Sequence, residues 1–277
     1  MKPNALNLLN RNRSVTPEIT ALNVRRWWVE REAEARAVMV QRAESPLAAD
    51  TLVAVASQHP LLKGVYPGDE YRLRLDTTVR LWREAAERGE RVQVAVFGSR
   101  HKDDRPEAMK AEAQGQPRPV DKVSLNDVAK AYLLVKGVPA EDIRDEWNQL
   151  YKGDEGIYNG GDEVLVASAG FHDNPNFKNF KFILSPGQWA RTRLYCYANR
   201  VDPEFVPPDD IETVDSQFHG GLRMLIPKII TEFRDPTWQG EGSFLGKTAR
   251  QNRRPEDGID SQIPFEDLLE VYSSVYA

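Results

Sequence analysis

The sequence predicts an α/β domain, Rossmann-like in its three layers, with a mostly parallel sheet between helices. Three observations predict it. Thr51–Ala56, Val92–Phe97 and Phe180–Leu184 are short, nearly continuous apolar runs, the pattern of strands buried on both faces. Stretches with helical apolar spacing follow them. The right-handed crossover rule then turns strand–helix–strand order into a parallel sheet.

Taken in chain order, residues 1–15 read as a polar tail. A helix is expected from Thr16, a good N-cap, with Pro17 and Glu18 suited to its first turn, to about Gln41. Thr51–Ala56 is the first strand, and Ser57–Glu70 a polar loop. Leu75, Val79, Trp82 and Ala86 mark the next helix, which Gly89 ends. Val92–Phe97 is the second strand and breaks at Gly98. Residues 99–121 hold Lys, Asp, Glu, Pro and Gln, and read as a flexible charged segment.

Ser124, with Asp127 three residues on, opens a helix lined by Val128, Tyr132 and Val135 and closed by Gly137 and Pro139. A short helix is expected around Asp162–Phe171. The third strand, Phe180–Leu184, turns through Ser185-Pro186-Gly187 into a helix over about 188–198. Leu222–Phe233 reads as a helix bent at Pro227, and Phe265–Tyr272 as a terminal helix. The domain divisions expected are 1–44 for tail and helix, 45–234 for the α/β unit, and 235–277 for a C-terminal arm and helix. Trp238 and Phe244 in the arm suggest that it packs against something, and a lid, a homodimer arm and disorder all fit it.

Composition narrows the function classes. The 277 residues suit one large domain or one domain plus sizeable extensions, since single cores stop growing at roughly 250–300 residues. A net charge of −5 without clustered Lys and Arg gives no support to nucleic-acid or membrane-surface binding. One cysteine, Cys196, rules out an internal disulfide and suits a reducing, cytoplasmic setting. Met1–Arg13 lacks a signal-peptide apolar stretch, and no run of about 18 apolar residues predicts a membrane helix. His-Glu-x-x-His, CxxC, Walker A, Gly-x-Ser-x-Gly and Gly-x-Gly-x-x-Gly patterns are missing. The acids at 103–104 and at 209, 210 and 212 lack ligand spacing and read as solvated charge, so no metal is expected.

In open α/β sheets ligands bind beyond the carboxyl ends of the strands. Ser57, Gln58 and His59 follow the first strand, Gly98, Ser99, Arg100 and His101 the second, and Ser185, Gln188 and Arg191 the last. Gly98 serves a tight turn or a close backbone approach. Arg100 has the planar fork that clamps phosphate or carboxylate. His101 is the candidate acid or base, and equally a polar loop residue. Ser124 reads as a cap, compatible with an anion at a helix N-terminus. Ser185, Gln188 and Arg191 would cradle an anion at the next one. Glu146 would orient a ligand or water, or simply join the surface acids Asp142 and Asp145. Asn159 would donate to a ligand or serve the turn before Gly160-Gly161. His172, His219 and Cys196 read as structural.

The order of certain pieces carries a resemblance. Asp50-Thr-Leu-Val-Ala-Val55, Arg74-Leu-Asp76, Val94-Ala-Val-Phe-Gly-Ser99, Ser124, Gly137-Val-Pro139, Glu146, Asn159 and Ile183-Leu-Ser-Pro-Gly-Gln-Trp-Ala-Arg191 run colinearly over about 50–200. In this the chain resembles the SanA/YdcF/ElyC family. The departures are Gly98-Ser-Arg-His101 for a glycine turn, Leu125 for Glu, Tyr158 for Glu, and Gln188 for His. The resemblance implies an enzyme that handles a small anionic or nucleotide-like molecule, with S-adenosylmethionine as the ligand. Arg100 and Arg191 would then hold negative charge, Glu146 and Asn159 would position polar groups, and His101 would move the proton. A non-catalytic ligand sensor and a hydrolase of a phosphorylated metabolite stay open beside it.

Overall fold

β1 (Thr51–Val55) is buried along its whole length, as its unbroken apolar run requires, and lies at the centre of the sheet. The computed structural model describes residues 51–58, 61–102, 106–152, 157, 160–210 and 261–277. The helix expected from Thr16, the bent helix at Leu222–Phe233, and Trp238 and Phe244 of the arm lie outside the described residues.

The other strands are β2 (Val92–Val96), β3 (Ile143–Arg144), β4 (Asn179–Ile183) and β5 (Glu204–Val206). Their order is β3-β2-β1-β4-β5 and every pairing is parallel. Thr51 registers with Val92 on one side and Asn179 on the other. The period of two splits the strands between two cores. Leu52, Ala54, Ala95, Phe180 and Phe182 face one, and Val53, Val55, Val94, Val96 and Ile183 the other.

Seven described helices cover the two faces. They are α1 (Asp69–Glu87), α2 (Pro106–Ala113), α3 (Leu125–Val135), α4 (Trp147–Lys152), α5 (Gly160–Asp173), α6 (Trp189–Ala198) and α7 (Phe265–Tyr276). α4, α5 and α6 close the first core with Trp147, Val164, Ala167, Tyr195 and Cys196. α1, α3 and α7 close the second with Tyr71, Leu75, Val128, Tyr132, Leu268 and Tyr272. This is a three-layer, open parallel-sheet α/β fold. No described helix is long and apolar enough to cross a membrane.

The structure departs from the sequence expectations in several places. The described residues of 99–121 hold α2, an antiparallel bridge between Lys102 and Val120, and the buried residues Ser99, Arg100 and Asp121. Pro106 opens α2, Glu107 suits its first turn, and three alanines favour its interior. In α1 the apolar stripe ends on buried Ala85, and Ala86 is exposed. The i+3 step from half-buried Trp82 keeps the contact line on the sheet; the indole Nε1 donates to Asp142 Oδ2 at 2.8 Å. β3, α4 and β5 were not expected, since two to six residues are too few to show a period.

α7 lies on α3 through aromatic contacts. Tyr132 meets Tyr272 and Tyr276 edge-on, with centroids 6.5 and 5.0 Å away. Burial pushes the Tyr71 and Tyr272 phenols well above their ordinary range. A phenol raised in the folded state adds stability that is full below its unfolded pKa and is lost as pH rises through the folded value. Urea denaturation should therefore show stability falling steadily as the pH passes about 10. On the other face, Gly170 of α5 packs on Trp147, and a Cβ there would overlap the indole ring. Tyr151 and Phe177 hold that ring edge-on, so it has little room to yield. Gly170→Ala should gain about 1 kcal/mol of helix propensity. It should lose about 1–3 kcal/mol or more to overpacking. Net destabilisation in urea is the expected result.

Candidate functional site

From β1 the chain builds β2 and then β3 on one side, and crosses to β4 on the other. The strand order therefore reverses at β1, and in open α/β sheets the place beyond the carboxyl ends of the strands at such a reversal, here β1 and β4, is where ligands bind. The two strands stay joined as far as Ala56, whose N–H donates to Ile183 O at 3.0 Å. Polar residues follow on both: Ser57 and Gln58 after β1, Ser185 and Gln188 after β4.

The group at this point is Arg74. It falls in the buried stripe of α1, between Tyr71 and Leu75, and is fully buried. Helical side chains lean toward the N-terminus, so its guanidinium reaches back past the first turn of α1 to the end of β1. Nη1 donates to Ala56 O at 2.9 Å and Ser57 O at 3.0 Å. Nη2 donates to Gln58 Oε1 and Glu70 Oε1, both at 2.7 Å, and to Ser185 Oγ at 2.9 Å. Ser185 Oγ in turn donates to Glu70 Oε1. One guanidinium thus ties together the end of β1, its loop, the first turn of α1 and the end of β4.

A second carboxylate holds the same loop from the other face. Ser57 N–H, at 3.0 Å, and Ser57 Oγ–H both donate to Oε1 of Glu163, a buried residue in the first turn of α5. Beside it, Gly98 has φ +114°, and a Cβ there would come within 2.7 Å of Leu125 Cβ and 3.1 Å of Ser57 Oγ. Glycine is required by both the conformation and the space. The turn after β2 then meets the start of α3. Asn126 N donates to Gly98 O at 3.1 Å and Leu125 N to Ser99 O at 3.4 Å. Ser124 Oγ caps Asp127 N at 3.0 Å. These α3 amides are engaged within the protein, so Ser124 acts as a cap.

Among the residues expected at the site, Ser57, Gln58 and Ser185 come together around Arg74, and Gly98 abuts Ser57. Gln188 is buried in the 3-10 turn Pro186–Gln188, where its N–H donates to Ser185 O at 2.9 Å. Ser99 pairs with Ile157 through two bonds, from its N–H at 3.2 Å and to its Oγ at 3.1 Å. Arg100 is buried on the same turn, and His101 is half-buried, its carbonyl accepting from Asp121 N at 2.8 Å. Arg191 is in the first turn of α6. Glu146 is not brought to this group: it is exposed after β3, 3.8 Å from Arg144. Asn159 and His59 lie outside the described residues. His172 sits 3.1 Å from Asn199 O on the far side of the fold, and burial pushes the Cys196 thiol up to about 12.

Sequence reasoning missed Glu70, Arg74 and Glu163 as site residues. A signal for the first two was present: an arginine inside an apolar helical stripe, one turn after a glutamate, is a paired charge directed inward. Glu163 had no such signal, because its partner is 106 residues away. No family model, curated protein or solved structure matches the chain.

Breaking a buried pair strands the remaining charge, which costs about 3–5 kcal/mol. Arg74→Met should lower stability in urea by that order. Adding Glu70→Gln should restore part of it, with a coupling of about 1–3 kcal/mol in the double-mutant cycle.

Proposed function

We propose that the crevice between the ends of β1 and β4 binds a small anionic or nucleotide-like molecule and that the chain acts on it as an enzyme. The carrying observation is the Arg74–Glu70–Ser185 set, joined through the loop at Ser57 to Glu163. Buried charges of this kind are replaceable by apolar side chains with little loss of stability. Their concentration at the reversal point of the sheet favours a prepared polar site over a purely structural one.

In this reading Arg74 is the organiser. Its two terminal nitrogens serve five protein acceptors; the clamps for negative charge in this reading are Arg100 and Arg191, in the turns that follow β2 and β4, by the chemistry of their planar forks. His101 is the acid or base, and Glu146 stays outside the site. The resemblance to the SanA/YdcF/ElyC family supports S-adenosylmethionine as the first ligand to try. One of its colinear pieces, Arg74-Leu-Asp76, contains the buried arginine. A non-catalytic sensor is the second reading. It is favoured by the Ser57 and Ser185 hydroxyls, both of which already donate to carboxylates.

Thermal shift against S-adenosylmethionine, S-adenosylhomocysteine, nucleotides and sugar phosphates tests the proposal. Binding to the native state should stabilise by about 2.7 kcal/mol at a hundredfold excess over Kd. Arg100→Gln should remove the response. A shift with consumption of the compound supports the enzyme, and a shift without consumption supports the sensor. No shift with any compound would overturn the site.

A further inference from the structure

We infer that the C-terminal segment 261–277 is a strap that holds in place, from outside, two loops bordering the crevice. The first loop is the small hairpin Leu61–Tyr66 between β1 and α1. Leu62 and Tyr66 form its antiparallel bridge, with N–O distances of 2.8 and 2.9 Å. Its tip carries positive φ at both Lys63 (55°) and Gly64 (72°). A lysine in the left-handed region is strained, so the tip needs holding by its surroundings.

Those surroundings are the segment before α3 and the C-terminal helix. Lys122 N donates to Gly64 O at 2.8 Å, and Leu61 N to Asp121 Oδ1 at 3.2 Å. Tyr272 of α7 donates its hydroxyl to Val65 O at 2.8 Å and stacks on Tyr66 at 6.1 Å. The second loop, 121–124, is held by the same segment. Gln262 N donates to Lys122 O at 2.8 Å, and Ser261 Oγ accepts from Ser124 N at 3.0 Å while donating to Asp127.

Both loops lead directly to the crevice. The first continues from Ser57 and Gln58 and returns at Glu70. The second opens α3, whose first amides bond the carbonyls of Gly98 and Ser99. Ser261 and Tyr272 are therefore positioning residues. The consequence for ligand binding rests on the function proposed above; the consequence for the loops does not.

Hydrogen exchange on the full chain tests the strap. Ser261→Ala with Tyr272→Phe should speed exchange of amides in 61–66 and 122–127 by about tenfold or more, leaving β1, β2 and β4 unchanged. Ser261→Thr with native Tyr272, which keeps both hydroxyls, should restore protection. Unchanged rates in the two loops, or an equal rise in the strands, would overturn the strap. S-adenosylmethionine is the probe for the second arm. If the native chain shifts with it, the double variant should shift less at the same concentration. A full shift in the variant would overturn the coupling. Localised loosening in a chain that answers no compound would count against the ligand reading and leave the strap supported.

Discussion

A single buried guanidinium organises the carboxyl edge of this sheet. Arg74 has no exposed surface, and its charge is balanced by Glu70 one helical turn earlier. A lysine in its place would supply one point of charge; the guanidinium offers a planar fork that addresses several acceptors at once. Through that fork the end of β1, the loop beyond it, the first turn of α1 and the end of β4 share one fixed relation. Among the described residues, Arg74 Nε has no hydrogen-bond partner. Two buried charges are a weak source of stability when set against good apolar packing, but they specify geometry closely.

The remainder of that edge is built to the same end. The strands are apolar on both faces, whereas the turns that follow them hold the buried polar residues Ser99, Arg100, Ser185 and Gln188, and Ser57's partner Glu163 is buried in the first turn of α5. Gly98 lets the turn after β2 pass between Ser57 and Leu125 without a side chain. The first amides of α3 are used inside the protein, so the helix start fixes the turn instead of facing an anion. From outside, α7 rests on α3 through its tyrosines and reaches Val65, while Ser261, ahead of α7, donates to Asp127. The carboxyl edge of the sheet is thus braced by Arg74 within and by the C-terminal segment without.

Local pattern and long-range pairing differ in how far they can be read. Thr51–Val55 and Val92–Val96 are legible because a strand buried on both faces has to be continuously apolar. The Ser124 cap is legible because its partner is three residues away. The charge content of 99–121 suggests solvent, whereas Pro106 and the alanines after it favour the helix found at Pro106–Ala113. β3 and β5 are short edge pieces whose existence depends on a neighbouring strand. Among the site residues, Ser57, Gln58 and Ser185 were legible from their position after strands. Arg74 needed the inward reading of a charged residue in an apolar stripe.

By itself the sequence determined the fold class, the central strands, the capped and glycine-ended helices, and the edge at which polar residues would collect. These follow from periodicities and short-range hydrogen bonds, which are written into neighbouring residues. The folded arrangement alone puts β4 on the other side of β1 from β2, joins Glu70 to Ser185 through Arg74, holds Ser57 by Glu163 and leaves Glu146 apart. The physical reason is distance along the chain. Ser185 is 111 residues from Arg74, and Glu163 is 106 from Ser57. Such partners meet only in the folded sheet, and no local pattern encodes its strand order.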